Sequence, residues 1–238
     1  MNPSLKFYLL VTVFFIQFLS SCKEKANRDT LKIDPLPQAS VLKDTPAEQD
    51  ISKVPIASMN RVAWQKPEKI LNRLGTDLHH KVIADIGAGP TGFFTFWAAR
   101  NGAHVIAVDI SSDALRYIEI EKAKADTSIQ ALIQTRMAKP QDPLLNPNEV
   151  DGIMIVNTIA FIPDKLKYLS HLRGSMKDGA KLVIVDFKMK RMPEQIAPPK
   201  SQRVHADIIE ELLYKSGYSN IKVDDQELAY QFIITADK

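Results

Sequence analysis

The sequence predicts an α/β fold, a mostly parallel sheet with helices on both faces, closed by an antiparallel hairpin near the C-terminus. Three observations predict it. From residue 82 onward, short continuous runs rich in Val and Ile alternate with longer helix-patterned stretches, as expected for strands buried on both faces. A glycine-rich turn stands between the first such run and an apolar helix. Near the end, two strand-like runs are joined by a polar link too short for a helix, so they must pair with each other.

The elements follow in order. Asn60 to Leu74 has helical spacing, with Val62, Ile70, Leu71 and Leu74 on one side and Gly75 as its stop. Pro67 predicts a break or a second start within it. Val82 to Ile86 is the first strand, and Phe93 to Ala99 the helix after it. Val105 to Val108 and Ala114 to Lys124 form the next strand and helix. Ile129 to Ile133 is a third strand. Ile153 to Val156 is the fourth, followed by a helix over Asp164 to Met176. Leu182 to Val185 is the fifth, followed by a helix over Ala206 to Ser216. Ile221 to Val223 and Tyr230 to Thr235 make the hairpin.

Upstream of this domain the chain has a different character. Lys6 is the only charge before an apolar run from Phe7 to Leu19, which ends in Leu19-Ser20-Ser21-Cys22. That run is shorter than the ~20 residues a membrane-spanning helix needs, and it has the proportions of a secretory signal. Leu-Ser-Ser-Cys resembles the bacterial lipobox. The resemblance implies a signal peptide over residues 1–21 and Cys22 as the lipidated first residue of the mature chain, anchored to a membrane by its acyl chains. Lys23, rather than Asp, resembles the pattern of outer-membrane sorting, so the expected location is the cell envelope of a Gram-negative bacterium. Residues 22–58, interrupted by Pro35, Pro37, Pro46 and Pro55 and lacking sustained periodicity, read as a flexible tether. The folded domain occupies residues 59–238.

Composition narrows the chemistry. A net charge of +3 without a long Lys/Arg run gives no reason to expect a nucleic-acid partner. Five scattered His and a single Cys provide neither a thiolate metal site nor a disulfide, and no metal is expected. His79 and His80 fall in a predicted loop, and His104, His171 and His205 have no partner at ligand spacing. Lys188 to Arg191 reads as a solvated basic turn.

The motif that carries chemistry is Asp85-Ile86-Gly87-Ala88-Gly89-Pro90-Thr91-Gly92, between a buried strand and an apolar helix. Its glycines allow a sharp turn and close approach of a ligand, and the helix start offers N–H groups to an anion or carboxylate. Asp109 ends the second strand at the spacing of about twenty residues where a carboxylate accepts the hydroxyls of a ribose. By itself this constellation fits NAD or S-adenosylmethionine (SAM). The C-terminal hairpin and the lack of a second glycine fingerprint favour SAM.

From about Arg61 onward the chain resembles bacterial class I SAM-dependent methyltransferases. The resemblance is carried by Ala63-Trp64-Gln65-Lys66-Pro67-Glu68, Ala84 to Gly89, Val150-Asp151-Gly152 into Asn157-Thr158, Leu182 to Phe187, Ala197-Pro198-Pro199 and Ala229-Tyr230-Gln231-Phe232. It implies a Rossmann-like seven-stranded sheet and SAM as cofactor. By position, Asp85, Gly87, Ala88, Gly89 and Gly92 would lie along the methionine part, and Asp109 would hold the ribose. Ile110 and Asp142 would flank the adenine, and Asn157 would face the methyl-donor region. The chain departs from the family pattern in three places. Pro90-Thr91 lengthens the glycine loop by one residue, Lys139 replaces an acid, and Ala160-Phe161 replaces a His pair.

Methyl transfer needs mainly alignment of the acceptor with the sulfonium methyl, so no catalytic residue is assigned. Trp64, Gln65, Tyr230 and Gln231 are candidates to line an acceptor cleft. Three functions are compatible with these residues: a methyltransferase acting on a small molecule or lipid near a membrane, a non-catalytic scaffold that keeps the fold, and a nucleotide-linked oxidoreductase. The scaffold reading draws on location, because SAM is made in the cytoplasm and a lipoprotein's mature domain lies outside it.

Overall fold

The computed structural model describes residues 61–194 and 196–238. The chain divides into two units, Met1–Glu48 and Gln49–Lys238, and all described residues belong to the second. The expected signal peptide, Cys22 and the tether lie outside the described residues.

Seven strands form one sheet: β1 (Val82–Ile86), β2 (His104–Asp109), β3 (Ile133–Met137), β4 (Val150–Val156), β5 (Met176–Phe187), β6 (Ser219–Asp224) and β7 (Gln231–Asp237). Their order across the sheet is β3-β2-β1-β4-β5-β7-β6. The first five run parallel, and β7 is antiparallel to both β5 and β6. The hairpin is therefore present, with its second strand inserted between β5 and β6 and β6 at the edge. Placement follows burial: β7 carries four consecutive buried residues from Gln231 to Ile234, whereas no residue of β6 is fully buried.

The parallel strands bury both faces. In β1 and β5, Ala84, Ile86, Leu182 and Ile184 enter one core. Ile83, Val183 and Val185 enter the other. The first core is covered by α6 (Lys165–Ser175) and α7 (Ala206–Lys215). The second is covered by α2 (Pro67–Leu71), α3 (Phe93–Arg100) and α4 (Ser112–Lys122). α2 follows α1 (Arg61–Gln65) after a break at Lys66, which adopts left-handed backbone (φ 47°), with Pro67 opening the second helix as its missing N–H permits.

The third strand was misplaced by the sequence. Thr127–Gln130 is a helical turn, α5, and β3 begins only at Ile133. Ile129, Leu132 and Ile133 have the spacing of one helix face, and the true edge strand carries Gln134, Thr135 and Arg136, which give no apolar run. What secures this edge is a fork. Arg136 Nη1 and Nη2 donate to Glu149 Oε2 and Oε1 at 2.7 and 2.8 Å, and Asn146 N–H adds a bond to the same carboxylate.

These bonds hold the Glu149 carboxyl below its ordinary range, with Arg136 the largest cause. A depressed carboxyl adds stability above the ordinary glutamate range, lost as pH falls through the folded value. Arg136→Leu is expected to cost about 1–3 kcal/mol in urea unfolding near neutrality, with the difference from wild type shrinking below about pH 4. A pH-independent difference would mean that packing, not charge, accounts for it.

Candidate functional site

The site lies at the C-terminal ends of the parallel strands, where the chain turns away from β1, β2 and β4 and leaves a crevice. A cleft of about 240 Å³ opens there, and of the residues expected from sequence Gly87, Asp109 and Ile110 line it. Lys139, Thr158, Phe161 and Tyr168 complete much of the wall. Ile110 and Phe161 are large apolar side chains left mostly exposed, at 57% and 60%. They stand on the two βα loops bordering the cleft, a surface suited to a flat ring.

The glycine loop is built by its own backbone. Gly87 and Ala88 N–H both donate to Val108 O, at 2.8 and 3.1 Å, and Gly89 N–H donates to Asp109 Oδ2 at 2.9 Å. Gly87 has φ 74°, and a Cβ there would meet Thr158 Oγ1 at 2.3 Å, so only glycine fits between β1 and the turn after β4. Gly89 (φ 66°) has nothing within 4 Å of its Cβ position, so the loop crest faces open space. Gly92 (φ 52°) starts α3 against Phe96 and Ile118. The N–H groups of residues 87–89 are all turned back on β2, which leaves the donors expected from sequence to the start of α3.

Asp109 is thereby aimed. Its Oδ2 accepts from Gly89 and its Oδ1 from Ser111 N–H at 2.9 Å, and each carboxylate oxygen keeps a further lone pair for a ligand hydroxyl. Asp142 does not line the cleft. Its Oδ1 accepts from Leu144 N–H at 2.8 Å and lies 3.7 Å from His171 Nδ1.

Asp85 is 2% exposed, on the face of β1 that meets α3, and accepts from the Thr95 hydroxyl at 2.7 Å. Burial raises its carboxyl to about 6, opposed in part by Thr95 and by the charge of Arg61. Arg61, which the sequence reading passed over, lies on α1 with its guanidinium 4.2 Å from the Phe93 ring centroid. Its Nε donates to Gln65 Oε1 at 2.6 Å, and among the described residues no hydrogen bond or ion pair takes up its Nη groups. Arg61 and Asp85 thus feel each other's charge without forming an ion pair. No spacing rule singles out an arginine on a five-residue helix, so only the fold brings it here.

The four residues expected in an acceptor cleft divide into two pairs. Gln65 and Gln231 are fully buried and reach no open cleft; Gln65 Nε2 donates to Gln231 Oε1 at 3.0 Å. Gln231 Nε2 in turn donates to Asn157 Oδ1. Asn157 follows β4 directly in left-handed backbone (φ 58°), a conformation asparagine tolerates. Trp64 and Tyr230 are half-buried, their rings 6.2 Å apart edge to face, and Trp64 stacks on Phe187 at 6.3 Å. A second carboxyl missed by the sequence reading, Asp186, ends β5 at 2% exposure. It accepts from Phe187 N–H, its Oδ2 has no hydrogen bond, and burial raises it to about 6. Among the described residues no group of three His, Cys, Asp or Glu could hold a metal ion, and no helix is long and apolar enough to cross a membrane.

Comparison with known proteins agrees with this architecture. A family model described as a methyltransferase domain matches residues 84–184. A SAM-dependent methyltransferase from Aquifex aeolicus superposes with a TM-score of 0.63 at 23% identity, covering 75% of this chain and 92% of that one. Phosphoethanolamine N-methyltransferase 2 from Haemonchus contortus, bound to SAM, gives 0.60 at 19% identity over 74% of this chain and 52% of its own, so this chain spans about half its length. A protein from Bordetella parapertussis described as a possible exported protein gives 0.56 at 14% identity, with 73% and 67% covered. No curated protein matches the sequence. The fold is that of the class I methyltransferases.

Because the folded protein binds the Asp85 proton more tightly than the unfolded chain, stability falls as pH rises from the ordinary aspartate range to about 6. Asp85→Asn keeps an acceptor for Thr95 and removes the buried charge. It is expected to unfold at higher urea than wild type by about 1–3 kcal/mol at about pH 8, with the gain gone by about pH 4. A variant less stable than wild type at the higher pH would show that the Arg61 charge compensates Asp85 in full.

Proposed function

We propose that this chain is a SAM-dependent methyltransferase whose domain, residues 59–238, is held to the cell envelope by a lipidated Cys22 and a tether over residues 22–58. The observation that carries the reading is the pairing of a ribose-type carboxylate, Asp109, with a separated acid and base, Asp85 and Arg61, along one glycine loop. A nucleoside joined to an amino-acid zwitterion has the charges to match. Asp109 would accept the ribose hydroxyls, and Ile110 and Phe161 would flank the base. Asp85 would receive the ammonium and Arg61 the carboxylate.

Gly87, Ala88 and Gly89 commit their N–H groups to Val108 and Asp109, so the backbone donors for a ligand carboxylate are those of the first turn of α3. SAM brings no phosphate and supplies an electrophilic sulfonium methyl. The chain's own part is to bind, to orient the acceptor beside Asn157 at the end of β4, and to exclude water with Trp64, Tyr230 and Phe187. The acceptor, a small molecule or a lipid, would approach over the ends of β4 and β5. The chain's resemblance in fold to a protein described as exported is in keeping with a domain outside the cytoplasm.

Calorimetric titration of the full-length protein in detergent, with SAM, S-adenosylhomocysteine and NAD in parallel, tests the cofactor. Micromolar binding of the two adenosyl ligands and not of NAD is expected, and Asp109→Ala is expected to abolish it without loss of fold. Binding of none would leave the scaffold reading. For the anchor, Cys22→Ser is expected to move the protein from the membrane to the soluble fraction, and retention would refute lipidation at Cys22.

A further inference from the structure

Two sequence stretches, Trp64-Gln65-Lys66-Pro67 at the start of the domain and Tyr230-Gln231-Phe232 at its end, stand far apart along the chain. In the fold they meet side by side. Trp64 contacts Tyr230, Gln65 donates to Gln231, and Lys66 Nζ donates to Glu227 O at 2.8 Å and pairs with its carboxylate at 3.1 Å. Further along, Arg73 Nη2 pairs with Asp224 Oδ2 at 2.5 Å. Together these contacts fasten α1 and α2 to the C-terminal hairpin.

The centre of this latch has a fixed polarity. A guanidinium can only donate, so Gln65 must turn its oxygen to Arg61 and its NH₂ to Gln231. Gln231 must then turn its NH₂ to Asn157, whose oxygen is thereby taken and whose NH₂ remains. Amide orientation in such sites is otherwise ambiguous; here one arginine sets all three. Two primary amides at 0% exposure are costly to bury unless each is matched, and an apolar pair would fill the same space at lower cost. The relay joins Arg61, at the amino-acid end of the proposed cofactor site, to Asn157 at its methyl-donor region. A five-residue helix has no stability of its own, so Arg61 is held by what α1 is fastened to.

Building on the methyltransferase reading, we propose that Gln65 and Gln231 are positioning residues that set the affinity for the amino-acid half of the cofactor, by aiming Arg61 and Asn157. Neither glutamine needs to touch the ligand. The adenosine half, held by Asp109 and Ile110 on the far side of the glycine loop, is independent of them.

The test separates the halves with two ligands, S-adenosylhomocysteine and 5′-methylthioadenosine, which lacks the amino-acid end. Affinities are measured by calorimetry on the full-length protein in detergent. Gln231→Leu and Gln65→Leu are expected to weaken S-adenosylhomocysteine about tenfold or more while leaving 5′-methylthioadenosine within about twofold of wild type. Gln65→Glu, which keeps the shape and pairs Arg61 with a competing carboxylate, covers the case in which a Leu variant fails to fold, and the same selective loss is expected. If the variants weaken both ligands equally, or neither, the latch is only structural and the proposal is overturned. If wild type binds neither ligand, the methyltransferase reading falls and this role falls with it.

Discussion

Three hydrogen bonds from the glycine loop to the end of β2 underlie the rest of the site. With Gly87 and Ala88 bonded to Val108 O, and Gly89 to Asp109, the loop after β1 cannot rise from the sheet, and Asp109 cannot turn away from the crevice. The close pass of Thr158 beneath Gly87 ties the same loop to the chain leaving β4. One backbone arrangement therefore sets the spacing of three strand ends, and α3 begins from it with Thr95 placed under Asp85. Pro90 and Thr91 fall beyond this bonded part, toward the crest of the loop.

Around that base the protein keeps polar groups that a fold alone does not need. Asp85 and Asp186 are carboxyls whose burial raises them to about 6, and Gln65 and Gln231 are amides with no exposure. Each has a cheaper apolar substitute in terms of folding free energy. All four sit at the C-terminal ends of β1 and β5, at the start of antiparallel β7 beside them, or on α1, and the opposite ends of the strands show no such cluster among the described residues. Local cost concentrated at one end of a parallel sheet is the physical mark of a binding end. Asp186 is the member whose role is least defined by its contacts, since one of its oxygens meets no donor.

Most of the fold was legible because its strands are buried on both faces. A continuous run such as Val82 to Ile86 or Leu182 to Val185 has few other uses, and the observed strands contain every one of these runs. β3 was not legible, because an edge strand with one wet face carries Gln134, Thr135 and Arg136, and the apolar residues just before it follow helical spacing. Of the site, the loop and Asp109 could be read from spacing, since a tight turn leaves few choices of residue. Asp142 and the two glutamines were legible as candidates, but their surroundings were not. Asp142 is occupied by its own turn, and the glutamines face each other instead of a cleft.

By itself, then, the sequence determined the class of sheet, the place of the glycine turn and the acid that follows it, because these depend on residues close along the chain. Tertiary structure alone decided that Arg61 would share a site with Asp85, and that Gln65 would meet Gln231 from the other end of the domain. Such pairings carry no local signal. Their partners are brought together only when β7 inserts beside β5 and α1 is drawn over the strand ends, and burial then enforces the hydrogen bonds that any unpaired amide there would lack.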